Sequence, residues 1–364
     1  MNQPIRTLLV GLGARGQIWA RLLHEEPLTE VIGYVDVDPA NLDRARERWG
    51  AASAVCFGKL EAALQATEPD LVLLATPPMD RFADAMAVLE HGCHLLSEKP
   101  LTLDLDEGIS LARRAEEVGR ALVVGLNFRY QHVVRYARQL IASGEIGAPS
   151  FARFTYWLNR SGYSQGGNRF PLTMRQPMLY EQSIHHFDEM RFVYGAEVER
   201  LWCRCHNPPW SNYADAATVA AVFEMTGDLL VSYFGTWQGQ TQMNEFSWRT
   251  DCTKGALLQR EQFSDLAIIR PDEREPRPVP LPEQERLVDD ARLMLTDVAE
   301  QLLAGVSMPE PSAIDHIKTF ALVAACEASS GCGRPVVMAE FYEERDVPQR
   351  WLTAGAAAAG AAAL

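Results

Sequence analysis

The run Thr7–Val10 is followed at once by Gly11-Leu12-Gly13-Ala14-Arg15-Gly16, which opens an amphipathic stretch reaching Glu25. No other feature narrows the fold so far. The three glycines meet separate steric needs: Gly11 permits a tight turn, Gly13 lets backbone amides approach a bulky ligand, and Gly16 lets the helix pack against the strand. A helix starting at such a turn offers positive partial charge to phosphate. Strand, glycine turn and helix in this order form a dinucleotide site, with Gly11, Leu12, Gly13, Ala14, Arg15 and Gly16 around the pyrophosphate. Asp36 closes the second apolar run, Val31–Val35. A carboxylate there accepts hydrogen bonds from an adenosine ribose diol and repels a 2′-phosphate, so NAD is expected over NADP.

Residues 1–125 repeat the alternation of apolar run and amphipathic stretch. The runs are Thr7–Val10, Val31–Val35, Ala54–Phe57, Leu71–Ala75, His94–Ser97 and Leu122–Gly125. Helical stretches lie between them at Arg15–Glu25, Pro39–Trp49, Lys59–Gln65, Arg81–His91 and Leu105–Val118. Continuous apolar strands are those buried on both faces of a parallel sheet, and the alternation predicts an α/β Rossmann domain. A connecting helix near Tyr130–Ser143 and a break at Gly144–Pro149 make 126–149 a linker. From 150 to 350 the runs lengthen: Ser150–Leu158, Val198–His206, Ala217–Glu224, Leu229–Trp237 and Phe246–Arg249, with Thr226-Gly227-Asp228 as a hairpin turn. That half reads as an α+β domain with a large, mainly antiparallel open sheet. One helix interrupts it at Gln182–Tyr194, and two more, Glu283–Ala304 and Ala313–Ser330, follow the proline-rich loop Pro271–Pro282. The alanine- and glycine-rich tail, 351–364, reads as a frayed end.

Glu98-Lys99-Pro100 directly follows the fifth run. Proline stops the strand and stiffens the turn, so Lys99 projects from a strand's carboxyl end, the edge where open α/β sheets bind ligands. Thr76-Pro77-Pro78 ends the fourth run at the same edge, where it would line the nicotinamide side of a cofactor. With Gly125-Leu126-Asn127-Phe128-Arg129-Tyr130 and the motif Glu181…His185…Asp188, these segments make nearly the whole chain resemble the glucose–fructose oxidoreductase / inositol dehydrogenase family of NAD(P)-dependent sugar and cyclitol dehydrogenases.

The resemblance implies hydride transfer between nicotinamide and a carbinol carbon of a sugar, sugar derivative or cyclitol. Removing hydride from an alcohol leaves a protonated carbonyl, so a base must take the hydroxyl proton. A lysine in water is an ammonium, and burial beside a positive nicotinamide favours the amine. Lys99 and His185 are the implied proton-handling groups, with the ultimate base open between them, and Glu181 joins them as a catalytic candidate. Thr76, Pro77, Glu98, Lys99 and Asn127 are implied at the cofactor; Lys99, Arg129, Tyr156, Trp157, Glu181 and His185 at the substrate. Spacing of four puts Glu181 and His185 on one helical face, with Asp188 on the next turn. Two positions depart from the family pattern. Glu181 stands where many members carry Asp, and Arg81 where the family often has His; Arg81 is either a charge for an acidic substituent on the substrate or a solvated arginine at a helix start. Two rival activities stay open: glycoside cleavage through transiently reduced bound NAD, and a non-catalytic NAD- or sugar-sensing regulator. Intact Lys99 and His185 count against the regulator.

Forty-eight acidic against 34 basic residues, a formal charge of -14, argue against a nucleic-acid partner. No stretch approaches the roughly 18 apolar residues of a membrane span. The start of the chain leads into Leu8-Leu9-Val10 too quickly for a signal peptide, so a cytoplasmic protein is expected. The seven cysteines are scattered and are expected as free, mostly buried thiols. Cys203 and Cys205 would share one face of a strand, but no second ligand cluster accompanies them and no metal is expected. Among Tyr156, Trp157, Tyr163, Tyr180, Trp210 and Trp237, one or two rings are expected to stack on a sugar face. The loop Ser161–Asn168 is expected to cover the site, and His186 to be structural. Leu229–Trp237 carries large side chains at both alternating positions, Tyr233 and Phe234 among them. Both sheet faces then need cover, and a homodimer, or a tetramer of two dimers, is expected.

Overall fold

In the computed structural model, which describes residues 3–160 and 169–353, each apolar run of the first half becomes a strand. These are β1 Ile5–Val10, β2 Thr29–Val35, β3 Cys56–Phe57, β4 Leu71–Leu74, β5 His94–Ser97 and β6 Leu122–Val124. All pair in parallel, in the order β3-β2-β1-β4-β5-β6. Leu8, Leu9, Val72, Leu73, Leu95 and Leu96 are fully buried, as expected where crossover helices cover the sheet. Those helices are α1 Ala14–Glu25, α2 Pro39–Trp49, α3 Leu60–Thr67, α4 Arg81–Glu90 and α5 Leu105–Val118. Local chemistry sets their ends. The Asp38 side chain caps α2 and left-handed Gly50 ends it, while Asp104 caps α5 and Gly119 closes it. The strand order reverses between β1 and β4, so the loops after them, carrying Gly11 and Thr76, flank the crevice where such sheets bind ligands.

The second sheet has nine strands: β7 Pro149–Trp157, β8 Val198–His206, β9 Thr218–Met225, β10 Leu229–Thr236, β11 Glu245–Cys252, β12 Gly255–Glu261, β13 Ser264–Ile269, β14 Arg277–Pro278 and β15 Val336–Val337. Their order is β14-β13-β12-β11-β7-β10-β9-β8-β15, and every pair is antiparallel except β7 with β10. Strands β12 to β14 extend the sheet beyond the expected runs. The turn between β9 and β10 is the expected hairpin, with positive φ at Gly227 and Asp228. Further helices are α6 His132–Ala142, α7 Phe170–Thr173, α8 Ile184–Tyr194, α9 Asp289–Leu303 and α10 Ala313–Cys332.

Alternation along β7 and β10 gives this sheet two unlike faces. Tyr233 lies 5.1 Å from Phe187 of α8, centroid to centroid, and Phe154 lies 4.7 Å from His186, so one face packs on that helix. The other face exposes Phe151, Trp157, Trp202, Val222 and Leu230, with Phe234 stacked on Trp157 at 5.1 Å. Tyr233 and Phe234 therefore do not share an outward surface. Only Phe234 belongs to the open face, because Tyr233 is buried beneath α8.

The chain divides into two units, Met1–Asn127 with Leu287–Ile317, and Phe128–Arg286 with Lys318–Leu364. Residues 287–317, inside the stretch 150–350 expected as the second domain, thus pack with the first unit. Arg292 of α9 pairs with Glu25 at 2.6 Å, Thr296 bonds Glu26, and Pro311 O accepts from Val124 N at 3.0 Å. Helix α6, read as part of a linker over 126–149, belongs to the second unit. Both differences arise from partners remote in sequence, which periodicity does not register. Among the described residues no helix is long and apolar enough to cross a membrane. The loop Ser161–Asn168, with Tyr163, and the tail from Ala354 lie outside the described residues.

Candidate active site

The glycine turn at the end of β1 is packed from behind and open in front. A Cβ on Gly11 would lie 2.9 Å from the Ala75 carbonyl carbon, and Gly11 adopts φ 88°, so no other residue fits there without strain. A Cβ on Gly16 would fall 1.9 Å from Gly11 O, which fixes α1 against the turn. At Gly13 a Cβ would meet nothing within 4 Å. Steric need inside the protein explains Gly11 and Gly16 but not Gly13, whose bareness faces open space as a ligand's close approach requires. No side chain caps α1, and its first turn has no acidic residue, so its amides keep their positive potential for an anion. Asp36, 9% exposed, accepts from Leu12 N at 2.6 Å and Asp38 N at 2.8 Å, one bond to each oxygen. A carboxylate has about four acceptor positions, so two remain for a diol.

Thr76 follows β4 with its Oγ1 buried and without a hydrogen-bond partner, a hydroxyl that a ligand amide would satisfy; Pro77 beside it is exposed. Glu98 follows β5 and is buried. Its Oε1 accepts from Arg15 Nε at 2.5 Å and Trp19 Nε1 at 2.8 Å. Burial opposes its ionisation, but Arg15, Lys99 and the Trp19 hydrogen bond outweigh burial and hold the carboxyl below the usual carboxylate range. Glu98 is thus a strut under the turn. Arg15 shares in that pair, and its Nη1 also donates to Leu287 O at 3.2 Å, so its side chain is directed to protein.

Lys99 is half-buried and followed by a cis bond to Pro100. Arg81 is not solvated. It is 2% exposed, and its guanidinium donates to the carbonyls of Thr76, Glu98 and Pro100. Asn127 follows β6; its Nδ2 donates at 2.8 Å to Asp290 Oδ2 at the start of α9, and Ala291 N donates to Oδ1 at 2.8 Å. Burial pushes Asp290 up to about 6 against the opposing charge of Arg15 and these hydrogen bonds. Sequence reasoning missed Asp290 because its partner lies on a distant segment. Asp36, the glycine turn, Thr76, Lys99 and Asn127 all stand at the carboxyl edge of one parallel sheet.

In the second unit the expected helix begins with a π-helical turn, Met178–Ser183, before α8. Glu181 lies in that turn and is half-buried, while His185 lies in α8, 5% exposed, its ring stacked 4.0 Å from Phe128 at 14°. Bonding from i to i+5 changes the helical phase, so spacing of four does not carry its usual geometry across this junction; such turns recur at functional sites. Asp188, the last residue of the motif, is an anchor. It takes two bonds of 2.6 Å from Arg129 and one of 2.9 Å from Thr319 Oγ1. Arg129 was expected at the substrate, but it is buried with its fork closed on Asp188, because a buried guanidinium needs such a partner.

Two further residues expected at the substrate have other neighbours in the fold. Tyr156 is buried and its hydroxyl donates to Gln182 Oε1 at 3.2 Å, inside a network in which His186 meets Gln182 and Tyr233 at 2.9 Å each. Burial pushes His186 down to about 3, so it is a neutral core residue, as expected. Trp157 lies on the open sheet face, away from α8, since neighbours on a strand point oppositely. Tyr180 bonds Glu327 at 2.8 Å, and Trp210 donates to Gln238 O at 3.0 Å. Cys203 and Cys205 share a face with sulfurs 4.0 Å apart, and all seven cysteines are free. Among the described residues no three His, Cys, Asp or Glu side chains are grouped to hold a metal.

Residues 5–126 match the family model described as oxidoreductase family, NAD-binding Rossmann fold, and residues 134–258 match the GFO/IDH/MocA C-terminal domain. An uncharacterised protein of Sinorhizobium fredii, y4oX, is 23% identical over 93% of this chain and 97% of its own length. An inositol 2-dehydrogenase of Rhodococcus erythropolis is 32% identical over 54% of this chain and 55% of its own; the match spans about half the length of such dehydrogenases. Among solved structures, an oxidoreductase from Agrobacterium radiobacter in complex with NAD+, L-tartaric acid and magnesium superposes with TM-score 0.83 at 20% identity, covering 93% of this chain and 99% of that one. An inositol dehydrogenase homologue from Azotobacter vinelandii, complexed with NADH and myo-inositol, gives 0.79 at 19% identity over 93% and 98%. These structural likenesses show the fold, and with both family models matched in order along one chain, the protein belongs to the GFO/IDH/MocA family of oxidoreductases with an NAD-binding Rossmann fold.

Proposed function

We propose that this protein is an NAD-dependent dehydrogenase that oxidises a carbinol carbon of a sugar, sugar derivative or cyclitol. The observation that carries this reading is the placement of Lys99 on the same sheet edge as an open Gly13 and an acceptor-bearing Asp36. The residues fit a dinucleotide: bare backbone at Gly13, an uncapped α1, free acceptor positions on Asp36 and an unpartnered Thr76 hydroxyl. Bound NAD+ supplies the hydride acceptor. The backbone of residues 12–16 holds the pyrophosphate, and Asp36 takes the ribose diol and disfavours a 2′-phosphate.

Lys99 Nζ accepts the substrate hydroxyl proton, with His185 as the second proton-handling group and Glu181 as its neighbour in the motif. A general base of this kind contributes two to four decades of rate, which sets the scale for its removal. The Rhodococcus and Azotobacter relatives, an inositol dehydrogenase and an inositol-bound homologue, support a polyol as substrate. The open face of the second sheet, with Phe151, Trp202, Leu230 and Phe234, supports a second copy of the chain as its cover and hence a dimer or a tetramer of dimers. A panel of aldoses, uronates, inositols and glycosides with NAD+, read at the NADH absorbance, tests the activity. NADH formation with a free polyol supports the reading. Aglycone release with no net NADH favours transient oxidation of a glycoside, and binding without either product favours the sensing role.

A further inference from the structure

Arg81 opens α4, where the helix dipole disfavours a cation, and it is 2% exposed, where desolvation disfavours one further. Such a residue is tolerated only when its donors are matched. Its terminal nitrogens donate to three main-chain carbonyls, Nη1 to those of Glu98 and Pro100 and Nη2 to that of Thr76. Two of these come from the residues on either side of Lys99, so the backbone before and after that residue hangs from one guanidinium nitrogen. The third belongs to the turn after β4, at the crevice beside the glycine turn. A planar fork can hold carbonyls in several directions at once, whereas a lysine ammonium is a single compact point on a flexible stem.

We propose that Arg81 is a positioning residue, fastening the Thr76 turn to the backbone on both sides of Lys99 and so presenting the Lys99 amine to the cofactor crevice. This rests on the reading of Lys99 given above. It also accounts for a buried arginine at the start of a helix. Loss of the fork loosens the Thr76 turn and the Lys99 backbone while the Gly13 amides, the start of α1 and Asp36 keep their own supports, so amine placement suffers far more than cofactor binding. A misplacement of about 1 Å is enough to lower a rate by about a hundredfold.

The test follows acetylation of Lys99 by acetic anhydride, quantified by peptide mass spectrometry, with and without saturating NADH, in the wild type and in Arg81→Lys. NADH binding is followed separately by its fluorescence. In the wild type NADH is expected to slow Lys99 acetylation by roughly tenfold or more, because the amine sits against the bound cofactor. In Arg81→Lys that protection is expected to fall below about threefold while NADH affinity stays within about fivefold. Arg81→Gln puts the same question should Arg81→Lys not fold. Equal protection in wild type and variant, with NADH bound in both, overturns the positioning role and leaves Lys99 in place. Absence of protection in the wild type overturns the reading of Lys99, and the proposal with it.

Discussion

Asp36 shows how one side chain serves fold and ligand together. Its two oxygens hold Leu12 N and Asp38 N, tying the glycine turn to the end of β2, and in the proposed function its remaining acceptor positions would take the ribose. Val37 beside it is 90% exposed, so a cation placed there stays in solvent. Asp36→Ser with Val37→Arg is therefore expected to lower the NAD to NADP ratio of kcat/KM by orders of magnitude, and also to weaken NAD itself by loosening the turn. Steady-state kinetics with both cofactors check this, and a wild type that already prefers NADP contradicts it. These residues were legible in the sequence because their geometry is local: strand, glycine turn, helix and strand-end carboxylate follow one another. Arg129 was not legible in the same way. Its motif marks it, but only the structure shows the bidentate bond to Asp188 by which it braces the second unit.

At the scale of elements, α9 is the clearest case of what periodicity omits. Its apolar spacing announces a helix, yet nothing local says that it packs on α1 and delivers Asp290 to Asn127. The pairing has a measurable consequence. Burial raises Asp290 from its ordinary 3.8 to about 6, so the folded protein holds a proton there that the unfolded chain has already released. The stability this group contributes is present below about pH 3.8 and is lost as pH rises through about 6. Asp290→Asn removes that loss. The melting temperature of the variant relative to the wild type is expected to climb by a few degrees between pH 4 and pH 7, about the effect of 1 to 2 kcal/mol in a chain of this size. Scanning calorimetry at both pH values checks it, and a constant difference would remove Asp290 from the titration. The π-helical turn before α8 was equally hidden, since its residues satisfy an α-helical pattern and only the i to i+5 bonding sets Glu181 apart.

For the whole molecule, the two-sheet plan was legible because each half has its own apolar texture, continuous in the first and alternating in the second. The exchange of 287–317 into the first unit was not, because it depends on the edge of β6 and the face of α1. The open face of the second sheet gives a whole-molecule prediction. Phe234→Asp is expected to convert a multiple of the 40.5 kDa chain to monomer with the fold kept, whereas Tyr233→Asp, under α8, is expected to unfold it. Light scattering with circular dichroism separates the two, and a wild type of one chain's mass sinks the idea. Whether Lys99 handles the proton in NAD-linked oxidation of a polyol is read from kcat of Lys99→Met beside the wild type on a polyol turned over in the panel. With Lys99 as the base, kcat is expected to fall by about two decades or more with NADH affinity within about threefold. Turnover by Lys99→Met within a few-fold of the wild type would contradict it.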